Sequence, residues 1–474
     1  MSDLCLRPAR ELIQLLHRRQ VSAREVMAAH LERINRINSA INAIVARLPD
    51  DDCLDLADRA DARLASGVEV GPLHGLPVAF KDTEPAVGFP CTQGSPIFRD
   101  AVPAADSILV ERLRRAGAIP IGKTNVPEFA MGSHTYNTVY GTTRNPYDLS
   151  KSAGGSTGGG AAAVTAGLLP FADGSDLGGS LRNPASFNNI VGLRPSVGLV
   201  PLGPGALPYG FGVKGPVART VDDIGTVLSA IAGADPRDPT ICASDSAAFA
   251  NVAERDFTGV RVAWCPDLGG LPLDPRTRAV VDSTRAHFER LGCLVEDASP
   301  DLAYAEDVFL TIRRWRSWYT LGPLLGLHGQ QMKPEAIEEI EAGARLRGAD
   351  VAAAMARHVE LMHRVWRFQQ RYEFLICTVS QVPPFDANLT WPREIDGVRM
   401  DSYVSWMKSV YLISATWCPA ISMPAGFTMD GLPVGVQIVG RYREDAALLA
   451  FARAFEQAAP VGRIRPILAD SAHR

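Results

Sequence analysis

Among the eight cysteines of this 474-residue chain no two form a CxxC pair, so the marks of a zinc ribbon, a dithiol redox site or a disulfide framework are missing. Reduced, packed thiols in a cytoplasmic protein are the expectation. An excess of one charge is also missing. The 48 basic and 52 acidic residues leave −4, and no basic footprint for nucleic acid or an anionic membrane surface is present. Long hydrophobic runs are lacking as well. The longest, around residues 160–172, is too short and too glycine-rich to span a bilayer, and the opening MSDLCLRPAR has no apolar segment of the kind a signal peptide needs. There is no HExxH for a zinc hydrolase, and the glycine-rich GGSTGGGA has neither the GxxxxGK[ST] order nor, after a predicted strand, the GxGxxG of a nucleotide site. His134 alone of nine histidines precedes the glycine-rich centre closely, and a satisfied loop histidine is its plainer reading. His358 and His363 share a helical stretch without an acid at a metal-binding spacing.

What the chain does have is an ordinary globular composition, 46% hydrophobic and 21% charged, without repeats or a low-complexity linker. Periodicity predicts helices over 10–46, with a Ser22/Glu25 capping box, and over 52–64. A strand at Val78–Phe80, a helix over 106–117 and a strand over 118–122 follow. Strand–helix–strand returns over 260–296, a helical and aromatic tract fills 300–371, and a strand covers 374–379. A loop over 383–399, a helix over 402–413, a hairpin-like pair over 420–439 and a closing helix over 444–457 complete the chain. This rhythm points to an α/β fold in a single domain.

The stretch from Lys151 to Asn183, KSAGGSTGGGAAAVTAGLLPFADGSDLGGSLRN, is the densest in chemistry. Two glycine-flanked hydroxyls, Ser156 and Ser180, stand twenty-four residues apart around a small-residue helix. Glycines beside Ser180 let consecutive amides turn toward one point next to a hydroxyl, the physical requirement of an oxyanion site beside a nucleophile. Upstream, Lys81 ends the apolar strand of LHGLPVAFKD. A lysine there is a snorkelling or ion-paired residue, or a desolvated amine able to act as a base. A neutral lysine drawing a proton through one serine from another would make a nucleophile without histidine.

These segments resemble the amidase signature family. The resemblance is carried by GGSTGGGAAAVTAG, DGSDLGGSLRNPA, GLPVAFKD, TTRNPYDLSKSAGGS, VGLRPSVG, GPVARTVDD and CPAISMPAGFTMDGLPVGVQIVGR, in order, from about Ile13 to Glu456. It weakens between Pro300 and Arg371. What it implies is one domain over 1–474, a central mixed β-sheet covered by helices on both sides. Residues 1–70 form a helical flank, 71–260 a catalytic core, 300–371 a helical insertion that shapes the substrate pocket, and 372–474 the rest of the core. It implies Ser180 as nucleophile, Ser156 as bridging serine on a cis peptide bond, and Lys81 as base. The amides of Leu177, Gly178, Gly179 and Ser180 would form the oxyanion site, with Asp176 and Arg182 supporting the turn. Ser175 and Thr157 replace a usual threonine and serine but keep a hydroxyl, while Asn188-Asn189 lacks a usual glycine.

The implied reaction is hydrolysis of a carboxamide, carbamate (urethane) or ester through an acyl-enzyme, with neither cofactor nor metal. The Met131–Gly132–Ser133 loop, the aromatic region Trp315–Tyr319 and the segment Trp391–Trp417 are expected to line the pocket, and their tryptophans point to a bulky or aryl amide or anilide. Expected partners are a small-molecule amide, with a homodimer as the one assembly considered. Two other readings stay open: an A-type glutaminase subunit of a tRNA-dependent amidotransferase, and a binding protein that has kept only the fold.

Overall fold

A computed structural model describes residues 4–203, 207, 209–241 and 244–466. The helix expected over 10–46 is two helices, Ala9–His17 and Ala23–Ile41, and a strand. Ser22 opens the second helix: its Oγ accepts the Glu25 N–H at 3.0 Å while Glu25 Oε2 accepts the Ser22 N–H at 2.8 Å. The capping box therefore marked a boundary inside an apolar stripe that runs on across it. Strand β1, Ile44–Arg47, escaped the sequence reading because four residues are too few to show alternation. The Asp50–Asp52 run forms the first turn of the helix Asp50–Ala65, where carboxylates face the positive end of the helix dipole.

With β2 (Pro77–Lys81) and β3 (Ile119–Thr124), β1 makes a small sheet ordered β1-β3-β2, β3 lying parallel to β2 and antiparallel to β1. A larger mixed sheet contains β4 (Phe171–Asp176), β5 (Val191–Arg194), β6 (Val213–Ala218), β7 (Arg261–Trp264), β8 (Leu294–Asp297), β9 (Phe374–Thr378), β10 (Ala420–Phe427) and β11 (Pro433–Val439). Its order is β8-β7-β9-β11-β10-β5-β6-β4. The pairs of β7 with β8 and β9 are parallel and the rest antiparallel.

Alternate residues of the central strands enter two separate apolar cores. Phe374, Ile376 and Val262 join one, with the helices Val221–Ile231 and Asp445–Ala458, while Leu375, Cys377 and Ala263 join the other, with the helices Ala305–His328 and Gly348–Arg371. Burial on both faces is why these strands read as continuous apolar runs. The result is a single-domain α/β fold with helices on both sides of a large mixed sheet. The tract 300–371 is helical as expected, in three helices, Ala305–His328, Pro334–Ala344 and Gly348–Arg371. The helix expected over 402–413 is shorter, a 3₁₀ turn Ser405–Met407 followed by Lys408–Ser414. Among the described residues no helix is long and apolar enough to cross a membrane.

Candidate active site

Lys81 stands where the two sheets meet. It ends β2, and its backbone N–H donates to the Asp173 carboxylate at 3.1 and 3.3 Å on the edge strand β4. Its side chain is fully buried. Nζ donates to Ser156 Oγ at 2.8 Å, Ser175 Oγ at 3.0 Å and Thr157 Oγ1 at 3.1 Å. Ser175 and Thr157, the two departures that keep a hydroxyl, thus contact the amine through it. Burial pushes the Lys81 pKa down to about 8, against the opposing pull of Asp173, Glu84 and Asp176. Burial and the nearby Glu84 charge push Asp173 up to about 7, with the Lys81 N–H, Lys123 and Lys81 opposing. Asp173 was not singled out in the sequence, and the one available signal was an acid inside the apolar run LLPFADG.

Ser156 follows a cis Gly155–Ser156 peptide bond. The Gly155 carbonyl accepts from Ser133 Oγ at 2.7 Å, and Asn183 Nδ2 donates to that same hydroxyl at 3.1 Å. Ser133, expected on the pocket wall, is therefore buried behind the Ser156 loop and engaged in holding it. Gly132 borders only a small recess with Lys333, Trp391 and Tyr403; of the three loop residues Met131 alone reaches the main cavity among the described residues.

The turn bearing Ser180 is built on Asp176. Its carboxylate accepts the N–H groups of Gly179 at 2.8 Å and Leu181 at 3.2 Å, two Arg182 bonds of 3.0 Å, and Arg194 at 3.3 Å. Burial alone would raise its pKa, but the Arg182 and Arg194 guanidiniums hold it well below the usual carboxylate range. Arg194 lay unnoticed within VGLRPSVG because its partner comes from another strand. Gly179 has φ +108° and packs against Val410, where a side chain would collide. Its N–H is taken by Asp176, so the expected row of four free amides is corrected to three. Among the described residues, Leu177, Gly178 and Ser180 N–H have no protein acceptor.

Ser180 is half-buried on the cavity wall that it shares with Ser156, and its carbonyl accepts the Thr157 N–H at 3.2 Å. No hydrogen bond joins the two serine hydroxyls among the described residues. At the missing glycine, Asn189 takes φ +52°, a conformation asparagine tolerates better than most residues. Asn188 Nδ2 secures the same corner through the carbonyls of Ala153 at 2.8 Å and Pro184 at 2.7 Å.

The cavity encloses about 770 Å³, and its described lining includes Phe129, Met131, Leu177, Leu202 and Leu321 beside Glu84, Lys214, Arg313 and Arg316. The tryptophan expectation fails here. Trp315, Trp318 and Tyr319 do not line it; their helix offers Arg313, Arg316, Ser317, Thr320 and Leu321 instead. Trp391 and Trp406 are core residues, and Trp417 packs on Tyr209 and His358. His134 is a buried structural histidine, bonded to Ser152 Oγ at 2.6 Å and Ala387 O at 3.1 Å, with burial pushing its pKa down to about 4.

Residues 25–449 match the amidase family model. The chain is 34% identical to an acylamidase of Rhodococcus erythropolis, over 98% of this chain and 97% of that one. It is also 34% identical to the A-type subunit of the glutamyl-tRNA(Gln) amidotransferase of Symbiobacterium thermophilum, over 96% and 97%. A crystal structure of a bacterial aryl acylamidase belonging to the amidase signature enzymes superposes with a TM-score of 0.90 at 26% identity, covering 98% of each chain.

Proposed function

This chain belongs to the amidase signature family of amide-hydrolysing enzymes, and we propose that it cleaves a carboxamide through a Ser180 acyl-enzyme, with Ser156 and Lys81 as the proton relay. The observation that carries this reading is the buried Lys81 amine 2.8 Å from Ser156 Oγ, on the cavity that Ser180 also faces. In the neutral form, Lys81 takes the Ser156 proton as Ser156 takes that of Ser180, whose Oγ attacks the carbonyl. Rotation of the Ser180 side chain about χ1 toward Ser156 closes the relay. The N–H groups of Leu177, Gly178 and Ser180 receive the oxyanion, each well-placed donor contributing about 3 kcal/mol. The proton returns through Ser156 to the departing nitrogen, and water then releases the acid.

Asp176 keeps this turn rigid, since its oxygens hold the N–H on both sides of Ser180. A fluorophosphonate should label Ser180 in the wild type and nothing in Ser180→Ala, read by peptide mass spectrometry; labelling of another residue overturns the assignment. For substrate, the acylamidase and aryl acylamidase names of the relatives, with Phe129 and Met131 on the wall, favour an aryl amide or anilide over a small aliphatic amide. Carbamates and esters share the same chemistry. A panel of anilides and aliphatic amides decides, and preference for the small aliphatic members ends the aryl reading. The second reading, a glutaminase component of an amidotransferase, is favoured by the 34% identity to the A-type chains of such enzymes. It requires ammonia release from glutamine that rises on adding the partner chains.

A further inference from the structure

Among the described residues that line the cavity, every charged side chain but one has an oppositely charged partner. Glu84 pairs with Lys214 at 2.7 Å, Glu111 with Arg237 at 2.7 Å, and Asp106 with Arg114 at 2.9 Å. Arg313, on the helix Ala305–His328, pairs with Glu339 at 2.6 Å and bonds the Tyr403 hydroxyl. One turn further along that helix, Arg316 also lines the cavity, yet its guanidinium meets no carboxylate and no other acceptor among the described residues. Arg316 is half-buried, and its burial pushes its pKa down with no anion opposing. The guanidinium lies against the backbone near Gly212, where a Cβ would come within 3.1 Å of Nη1; glycine makes the room for it. A half-buried guanidinium that faces the cavity with no protein acceptor among the described residues is open to an incoming anion.

We infer that Arg316 receives a carboxylate of the substrate, so that the preferred amides carry an acid on the acyl or leaving-group side. This rests on the amide-hydrolysis reading and narrows it. The spacing is set by the helix: Phe309 packs where a Gly178 Cβ would stand, 2.8 Å from its ring tip, and Arg316 lies seven residues beyond. Seven residues advance about 10 Å along a helix axis, and helical side chains lean back toward the N-terminus. The acid therefore sits several bonds from the scissile carbonyl. All four described acids on the wall, Asp176 with Arg182 and Arg194 included, are themselves paired, which leaves no free anion among the described residues for the ammonium group of glutamine and favours a simple acid-bearing amide.

The test compares kcat/KM for glutaryl 4-nitroanilide with pentanoyl 4-nitroanilide (acid on the acyl side), and for acetyl-4-aminobenzoate with acetanilide (acid on the leaving side). The wild type should prefer one acid over its neutral match about 10- to 100-fold, the range for a charge-assisted hydrogen bond. Arg316→Gln should bring that ratio toward one, and Arg316→Lys should restore part of it. A wild type that hydrolyses the anilides without preferring either acid, or an acid preference that survives Arg316→Gln, overturns the inference and leaves the amidase reading standing. If none of the four is hydrolysed and fluorophosphonate does not label Ser180, the amidase reading itself fails and takes the inference with it. The wild-type ratios decide even where the variant does not fold.

Discussion

At Lys81, three hydroxyl oxygens replace bulk water around a fully buried amine, and desolvation lowers the pKa to about 8. Because the proposed base works in its neutral form, kcat/KM should rise with pH and level off above about 8. A profile flat from pH 6 to 9 would remove Lys81 from that role. Lys81→Arg keeps the charge but cannot give up its proton near neutrality, so it should be as inactive as Lys81→Ala. For Lys81→Ala, alkaline pH should restore part of the rate, as hydroxide takes over the base. Asp173 opposes the fall in the Lys81 pKa, so Asp173→Asn should shift the activity limb to lower pH. A limb that stays in place would mean that the Asp173 charge is not felt at Nζ.

Among the elements, the turn from Asp176 to Arg182 is the one whose failure propagates furthest. Asp176→Ala would leave Arg182 and Arg194 buried without their carboxylate and free two backbone N–H groups. Removing one partner of a buried ion pair costs roughly 3–5 kcal/mol, so urea denaturation should show a loss of that size; a change under about 1 kcal/mol would contradict the geometry. Asp176 itself has a depressed folded-state pKa, so its contribution is complete above the unfolded carboxylate range and is lost as pH falls below it. The helix Ala305–His328 shows how aromatic content misled at this scale. Its aromatic residues announced a pocket lining, yet the rotation of the helix turns Arg313, Arg316 and Thr320 to the cavity and leaves Trp318 and Tyr319 exposed.

Over the whole molecule, burial raises the carboxyls of Asp173 to about 7 and of Glu456 to about 8. A raised carboxyl binds its proton in the folded chain at a pH where the unfolded chain has released it. Stability from these two groups is therefore present below about pH 4 and is lost as pH rises through 7 to 8. Lys81, with a lowered pKa, acts in the opposite direction, and its folded state gains between about 8 and the ordinary lysine value of roughly 10.4. Buried His30 and His134, pushed down to about 4, act the other way until about pH 6.5, so Tm should decline from about pH 6.5 to 8, and Asp173→Asn and Glu456→Gln should each flatten that slope. An unchanged slope in both variants would show that these carboxyls stay ionised when folded. Since no step of the proposed reaction uses a metal, dialysis against EDTA should leave the rate unaltered; loss of activity that an added metal restores would overturn the relay.

Local order carried much of this. The glycine-flanked serines, the lysine ending an apolar strand, and the Ser22 capping box depend on neighbours close in sequence. The β7–helix–β8 rhythm and the hairpin of β10 and β11 are likewise local, because strand and helix periods are written in consecutive residues. What the chain order left open was decided by residues far apart in sequence. Arg194 reaches Asp176 across the sheet, Ser133 turns inward to hold Gly155, and Gly179 spends its N–H on Asp176. Trp391 and Trp406 enter the core and Trp318 faces outward, while Arg316 faces the cavity without a partner among the described residues. Side-chain direction and charge pairing depend on which strand lies beside which and how each helix is rotated, and only packing sets those.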